Sequence, residues 1–150
     1  MQGKFISHEL FAELKPINVF HTEYPQVTVP NATEKYANKH VLFRKRFNAS
    51  GDLSGAVLKI TADDYFKLYI NGKFVTQGPP PSYPDAYYFM ELPVGKFLKK
   101  GENVIAVHTL YQGLINRVWV SGDNRESLWA ELIVDGEVVL ATDESWKCKI

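Results

Sequence analysis

Two dipeptides constrain this chain more than anything else in it: Asn71-Gly72 and Asp135-Gly136, each set between short apolar runs. A two-residue loop between antiparallel strands closes best as a type I′ turn. That turn needs positive φ at both central residues, which Asn-Gly and Asp-Gly tolerate best. The first pair follows Tyr65–Ile70, where Phe66, Leu68 and Ile70 alternate with Tyr65, Lys67 and Tyr69, and it leads into 73–76. The second joins 132–134 to 138–140. The same two-residue period runs through 42–47, with Phe43, Lys45 and Phe47 against Arg44 and Arg46. It recurs through 56–62, with Ala56, Leu58 and Ile60 against Val57, Lys59 and Thr61. Short strands, tight turns and no long stretch of helical periodicity predict an all-β sandwich.

The remaining segments fill in the plan. Residues 77–84 read QGPPPSYP, and three successive prolines exclude a central strand there. A strand is expected over 86–92, one helical turn within 93–100, and a turn at Gly101-Glu102-Asn103. Val104–Tyr111 is the most apolar strand. Val104, Ala106, His108 and Leu110 form one face and Ile105, Val107, Thr109 and Tyr111 the other, so both faces are expected to be covered. A long loop follows over 112–127, then strands at 128–134 and 146–150. Residues 1–40 read as a partly irregular arm lying across a sheet, with a helical turn near 8–14 stopped by Pro16. The sandwich domain itself spans 41–150.

Composition narrows function mainly by exclusion. Lys plus Arg and Asp plus Glu both number 17, so the summed charge gives no drive toward nucleic acid or an anionic membrane. No apolar run approaches the roughly 18 residues of a membrane span. Residues 1–16 lack the apolar core of a secretory leader, and Cys148 is the sole cysteine, so a cytoplasmic, reducing setting is expected. The Asn31 and Asn48 glycosylation triplets are read as chance matches. His8, His21, His40 and His108 show no zinc-type spacing, and neither a nucleophile elbow nor a phosphate loop is present. These patterns ask for no metal and no cofactor. Asp63-Asp64 is the obvious acid pair to compare with glycoside hydrolysis. Neighbours on an extended chain face opposite ways, so local turn chemistry is expected of them instead.

What is left is an aromatic and polar set beside the two long loops: Tyr83, Tyr87, Gln112, Asn116, Arg117 and Trp119. Aromatic platforms with amide and guanidinium donors suit a sugar. The same residue types make protein–protein hot spots, or simply anchor loops.

The segment ADDYFKLYINGKFVTQG at 62–78 resembles the galactose-binding-like domain at the front of many glycoside hydrolases. With PPPSYPDAYYFMEL at 79–92, GENVIAVHTLYQGLINRVWVSGD at 101–123 and TDESWK at 142–147, the likeness sharpens to the N-terminal domain of bacterial α-L-rhamnosidases of glycoside hydrolase family 78. It covers roughly 41–150. It implies a jelly-roll sandwich and a fragment of a larger hydrolase whose acid and base carboxylates sit in a separate (α/α)6 barrel, so no catalytic residue carries over. The implied role is an accessory, non-catalytic domain that packs on that barrel, with contact to rhamnosides or other glycans as a second role. The loop residues Arg117 and Trp119 would serve docking, and the isolated chain would tend to self-associate. The alternatives are a stand-alone carbohydrate-binding module and the front domain of a family 2 β-glycosidase.

Overall fold

The computed structural model describes residues 1–18, 31–114 and 122–150. Among these, nine strands form two antiparallel sheets, and helix is limited to two 3-10 turns, Glu9–Phe11 and Gly95–Phe97. The strands are β1 (Lys39–Ala49), β2 (Val57–Asp63), β3 (Tyr65–Ile70), β4 (Lys73–Gly78), β5 (Met90–Pro93), β6 (Gly101–Tyr111), β7 (Ser127–Val134), β8 (Glu137–Ala141) and β9 (Lys147–Lys149). One sheet runs β4-β3-β6-β1-β9 and the other β5-β2-β7-β8. The chain is an all-β sandwich.

The two-residue period does the sorting. Val41, Phe43, Phe66, Leu68, Ile70, Ile105, Val107 and Tyr111 from the first sheet meet Leu58, Ile60, Leu128, Leu132 and Val134 from the second in one buried cluster. Each such side chain contributes roughly 1.5–3 kcal/mol when taken from water. Both dipeptide turns form as the sequence predicts: φ is +50° and +78° at Asn71-Gly72, and +50° and +79° at Asp135-Gly136. Asn71 also acts through its side chain. Its Oδ1 accepts the Val104 N–H at 3.0 Å, and its amide donates to the Phe97 carbonyl at 2.9 Å and to Asn103 Oδ1 at 2.8 Å. Asn103, fully buried, in turn ties Lys99 and Gly101. The hairpin turn is thus bonded to the start of the strand beside it.

Three expectations need correction. The strand over 86–92 shortens to β5, because Tyr83 and Ala86 close a tight turn on each other and the Tyr88 N–H goes to the Ser82 hydroxyl at 3.0 Å rather than to a ladder. Gly101-Glu102-Asn103 belongs to β6, paired with Phe47–Ala49 of β1. Only one face of β6 is buried: Ile105, Val107, Thr109 and Tyr111 point into the core, whereas Val104, Ala106, His108 and Leu110 are half-buried on the outside.

The N-terminal segment follows the second sheet. Ile6 bridges Leu128, the Lys4 N–H donates to the Thr142 carbonyl at 2.8 Å, and the Gln2 and Gly3 N–H groups converge on the Glu131 carboxylate. Gly3 sits where a Cβ would come within 2.8 Å of the Trp129 indole nitrogen, so this position is closed to side chains.

Gly72 has open space around its Cα, so its requirement is purely conformational. Replacing it with Val is expected to lower stability by about 1 kcal/mol or more, since a β-branched residue resists positive φ. The midpoint shift in urea unfolding, at unchanged m-value, measures this, and an unshifted midpoint would contradict the turn assignment.

Candidate functional site

One end of the sandwich gathers the polar groups. Here the chain passes from β2 to β3, and so from one sheet to the other, through Asp63 and Asp64, whose peptide bond is cis and whose side chains are buried. Neither serves a local turn, which corrects the sequence reading. Asp64 Oδ2 accepts the Gln112 N–H at 2.7 Å, and Asp63 Oδ2 accepts the Arg125 N–H at 3.2 Å. The two carboxylates therefore hold the beginning and the end of the β6–β7 loop. A buried carboxylate is stabilised by such N–H donors, which offset part of its desolvation.

Two tyrosines complete the anchorage. The Asp123 N–H donates to the Tyr87 hydroxyl at 3.0 Å, and the Tyr87 ring lies where any Cβ at Gly122 would collide at 2.3 Å. The Tyr111 hydroxyl donates to the Asn124 carbonyl at 2.7 Å, and Asn31 reaches the same carbonyl and that of Lys15 at 2.8 Å each. Burial, then the nearby charges of Asp63 and Asp123, keep the Tyr87 phenol protonated well beyond its ordinary range.

Between this anchored loop end and the N-terminal segment lies a groove of about 250 Å³. Phe5, Phe11 and Tyr87 supply its rings, with Phe5 and Tyr87 centroids 5.0 Å apart, and Arg125 and Glu126 supply its polar edge. Asp123 fixes the half-exposed Arg125 guanidinium, with both carboxylate oxygens 3.0 Å from Nε. Glu126 is 1% exposed. Its oxygens accept the Ser7 hydroxyl at 2.7 Å and the Thr109 hydroxyl at 3.0 Å. Burial pushes its carboxyl up to about 7, helped by the Asp64 charge and opposed by the Ser7 and Thr109 hydroxyls and the His8 backbone. Rings beside a guanidinium and a carboxyl can hold a small polar ligand with one apolar face.

Of the sequence-stated candidates, Tyr87 stands in this groove. Gln112 lies at the loop's start, its N–H taken by Asp64 and its carbonyl accepting from the Asn38 N–H at 3.2 Å. Tyr83 does not join them: it packs edge-on against Tyr88, centroids 6.3 Å apart. Asn116, Arg117 and Trp119 lie outside the described residues. Sequence reasoning missed Phe5, Arg125 and Glu126. Nothing local marks them, because Glu126 meets Ser7 across 119 positions.

No protein-family model and no curated protein matches the sequence. Among solved structures, a GH78 family rhamnosidase of Bacillus sp. GL1 superposes with a TM-score of 0.69 and 35% identity, over 75% of this chain and 12% of its own. The chain resembles a small domain of GH78 α-L-rhamnosidases. The α-L-rhamnosidase of Aspergillus terreus matches with a TM-score of 0.59 and 26% identity, over 75% of this chain and 15% of that one. A Pleurotus ostreatus lectin, at 21% identity and a TM-score of 0.53 over 90% of this chain, shares the fold. This rhamnosidase-like chain therefore spans only about an eighth of the Bacillus enzyme's length.

The raised Glu126 carboxyl has a consequence for stability. Between about 4.5 and 7 the folded state holds a proton that the unfolded chain has released, so stability falls as pH rises through that window. The loss is on the order of 3 kcal/mol. Glu126→Gln keeps an acceptor for one hydroxyl and is expected to remove most of this slope, with higher stability than the parent above pH 7. Urea midpoints at pH 5 and pH 8 for both proteins test it, and equal slopes would refute it.

Proposed function

We infer that this chain works as an accessory, non-catalytic domain of an α-L-rhamnosidase, packing against a separate catalytic barrel that hydrolyses terminal α-L-rhamnose with inversion. The observation that carries the reading is the 35% identity spread over three quarters of this chain but confined to 12% of a GH78 rhamnosidase. The chemistry at the loop end supports it. An inverting glycosidase needs two carboxyl groups facing an open cleft with a water between one of them and the sugar. Here Asp63, Asp64 and Glu126 are buried, and each accepts hydrogen bonds that hold the fold together. Their task is architectural.

The groove between Phe5, Tyr87 and Arg125 favours a second reading, a module that binds sugar by itself. The two readings separate cleanly. The purified chain is expected to release no aryl alcohol from an aryl α-L-rhamnoside above a vector-only control, and turnover by the chain would overturn the accessory assignment. Saturable calorimetric heat with free L-rhamnose, abolished by Tyr87→Ala, would move the role from packing to sugar binding.

A further inference from the structure

The two sheets differ sharply in charge. The strands of the five-stranded sheet carry Lys39, Arg44, Lys45, Arg46, Lys67, Lys73, Lys147 and Lys149, and one acid, Glu102. The strands of the other sheet carry Lys59 against Asp63, Glu91, Glu131 and Glu137. The register concentrates the cations further. Leu42 pairs with His108 and Lys149, His108 with Lys67, and Arg44 with Ala106 and Lys147. All these positions share the outward parity, so Lys67, Arg44, Arg46, Lys147 and Lys149 lie on one face. Neighbouring strands place them about 4.8 Å apart, and alternate residues of a strand about 7 Å apart. Glu102, opposite Asn48, is the one acid of these strands on the same face, diagonal to Arg46.

Among the described residues the ion pairs are Lys4–Glu144, Lys35–Glu13, Lys59–Glu91 and Arg125–Asp123, none of them on this face. Arg44, Arg46 and Lys147, with Lys45 and Ser145, line a groove of about 380 Å³. Like charges set side by side on a sheet cost stability, so their collection on one open face calls for a counter-charge from outside. Aromatic rings lie on the same face: Tyr69 and Phe74 stand edge to face at 5.7 Å, and Phe74 is exposed. Rings offer stacking for the apolar face of a pyranose, and guanidinium groups pair carboxylates in a fork.

We propose that the outer face of the five-stranded sheet binds a carboxylate-bearing polysaccharide, a uronan chain laid across β3, β6, β1 and β9. The site extends across four strands beyond that groove, which fits a polymer held by many weak contacts rather than a single sugar. It lies on the sheet face, apart from the groove at Tyr87. The proposal rests on the reading of the chain as part of a carbohydrate-active enzyme, for which this face would hold polymer near the catalytic part.

Affinity electrophoresis of the whole chain tests it, with polygalacturonate in the gel and its fully methyl-esterified, neutral form as control. Retardation by the charged polymer alone is expected, with apparent affinity falling about tenfold or more between 50 and 300 mM NaCl as exposed pairs are screened. The double substitution Arg44→Ser with Arg46→Ser should weaken binding about tenfold at a melting temperature no lower than the parent's. Lys59→Ser, on the opposite sheet, should leave it as it was. Should the arginine variant fail to fold, Lys147→Ser with Lys149→Ser on the short edge strand replaces it. No retardation, or binding indifferent to both pairs, overturns the proposal. Equal retention by poly-L-glutamate also overturns it, in favour of an acidic protein surface. The rhamnoside assay is independent: a chain that neither turns over rhamnoside nor binds polygalacturonate sinks only this inference.

Discussion

The eleven-residue ladder between β1 and β6 sets nearly everything else in this molecule. It lies in the interior of the larger sheet, and its inward row, from Val41 and Phe43 to Ile105, Val107 and Tyr111, is the floor on which the second sheet rests. Because side chains alternate, a ladder fixed on one face is fixed on both. A slip of one residue would bury Arg44 and Arg46 and expose Phe43 and Phe47, which no compensating contact could repair. The same register carries Tyr111 to the end of the strand, where its hydroxyl reaches Asn124, and Thr109 to the Glu126 carboxyl. Core, outer charge and loop anchorage are consequences of one pairing.

Much of this was legible along the sequence, and the reasons for what was not are physical. Asn71-Gly72 and Asp135-Gly136 carry their turn geometry in two adjacent residues, and alternation in 65–70 needs only local reading. The class of fold followed, as did the likeness to a rhamnosidase domain. The exposure of the second face of β6 is not legible, because Val104, Ala106 and Leu110 are apolar whether or not a layer covers them. Composition reveals only the sum of charges, and a balance of 17 against 17 conceals two sheets of opposite character until pairing is known. The roles of Asp63 and Asp64 were likewise hidden, since their partners stand 62 and 48 positions away. At the candidate site, Tyr87 could be singled out as an aromatic beside a loop. Arg125 and Glu126 acquire meaning only when the N-terminal segment folds back over them.

The loop end shows how buried acids can organise a connection. A carboxylate among carbonyls and hydroxyls is a strong acceptor, and here three of them organise backbone that a strand ladder does not reach. Asp63 and Asp64 seize the two ends of a connection that starts in one sheet and finishes in the other, while Glu126 ties the N-terminal segment to β6 through Ser7 and Thr109. The groove at Tyr87 is a by-product of that tying. Its shape depends on how firmly residues 5–11 are held, and so on the hydrogen bond from Ser7 to Glu126.

The brevity of β9 has a consequence of its own. It pairs only with Leu42, Phe43 and Arg44, so among the described residues no strand lies against the outer edge of β1 from Lys45 to Ala49. A bare edge of that length is a template on which another chain can add itself as a strand, the first step toward fibrous aggregates. Two copies meeting there would bring Arg44, Lys45, Arg46 and Lys147 of each against the same residues of the other at strand spacing. The basic residues therefore act as gatekeepers, and an edge left open to hydrogen bonding is guarded by repulsion.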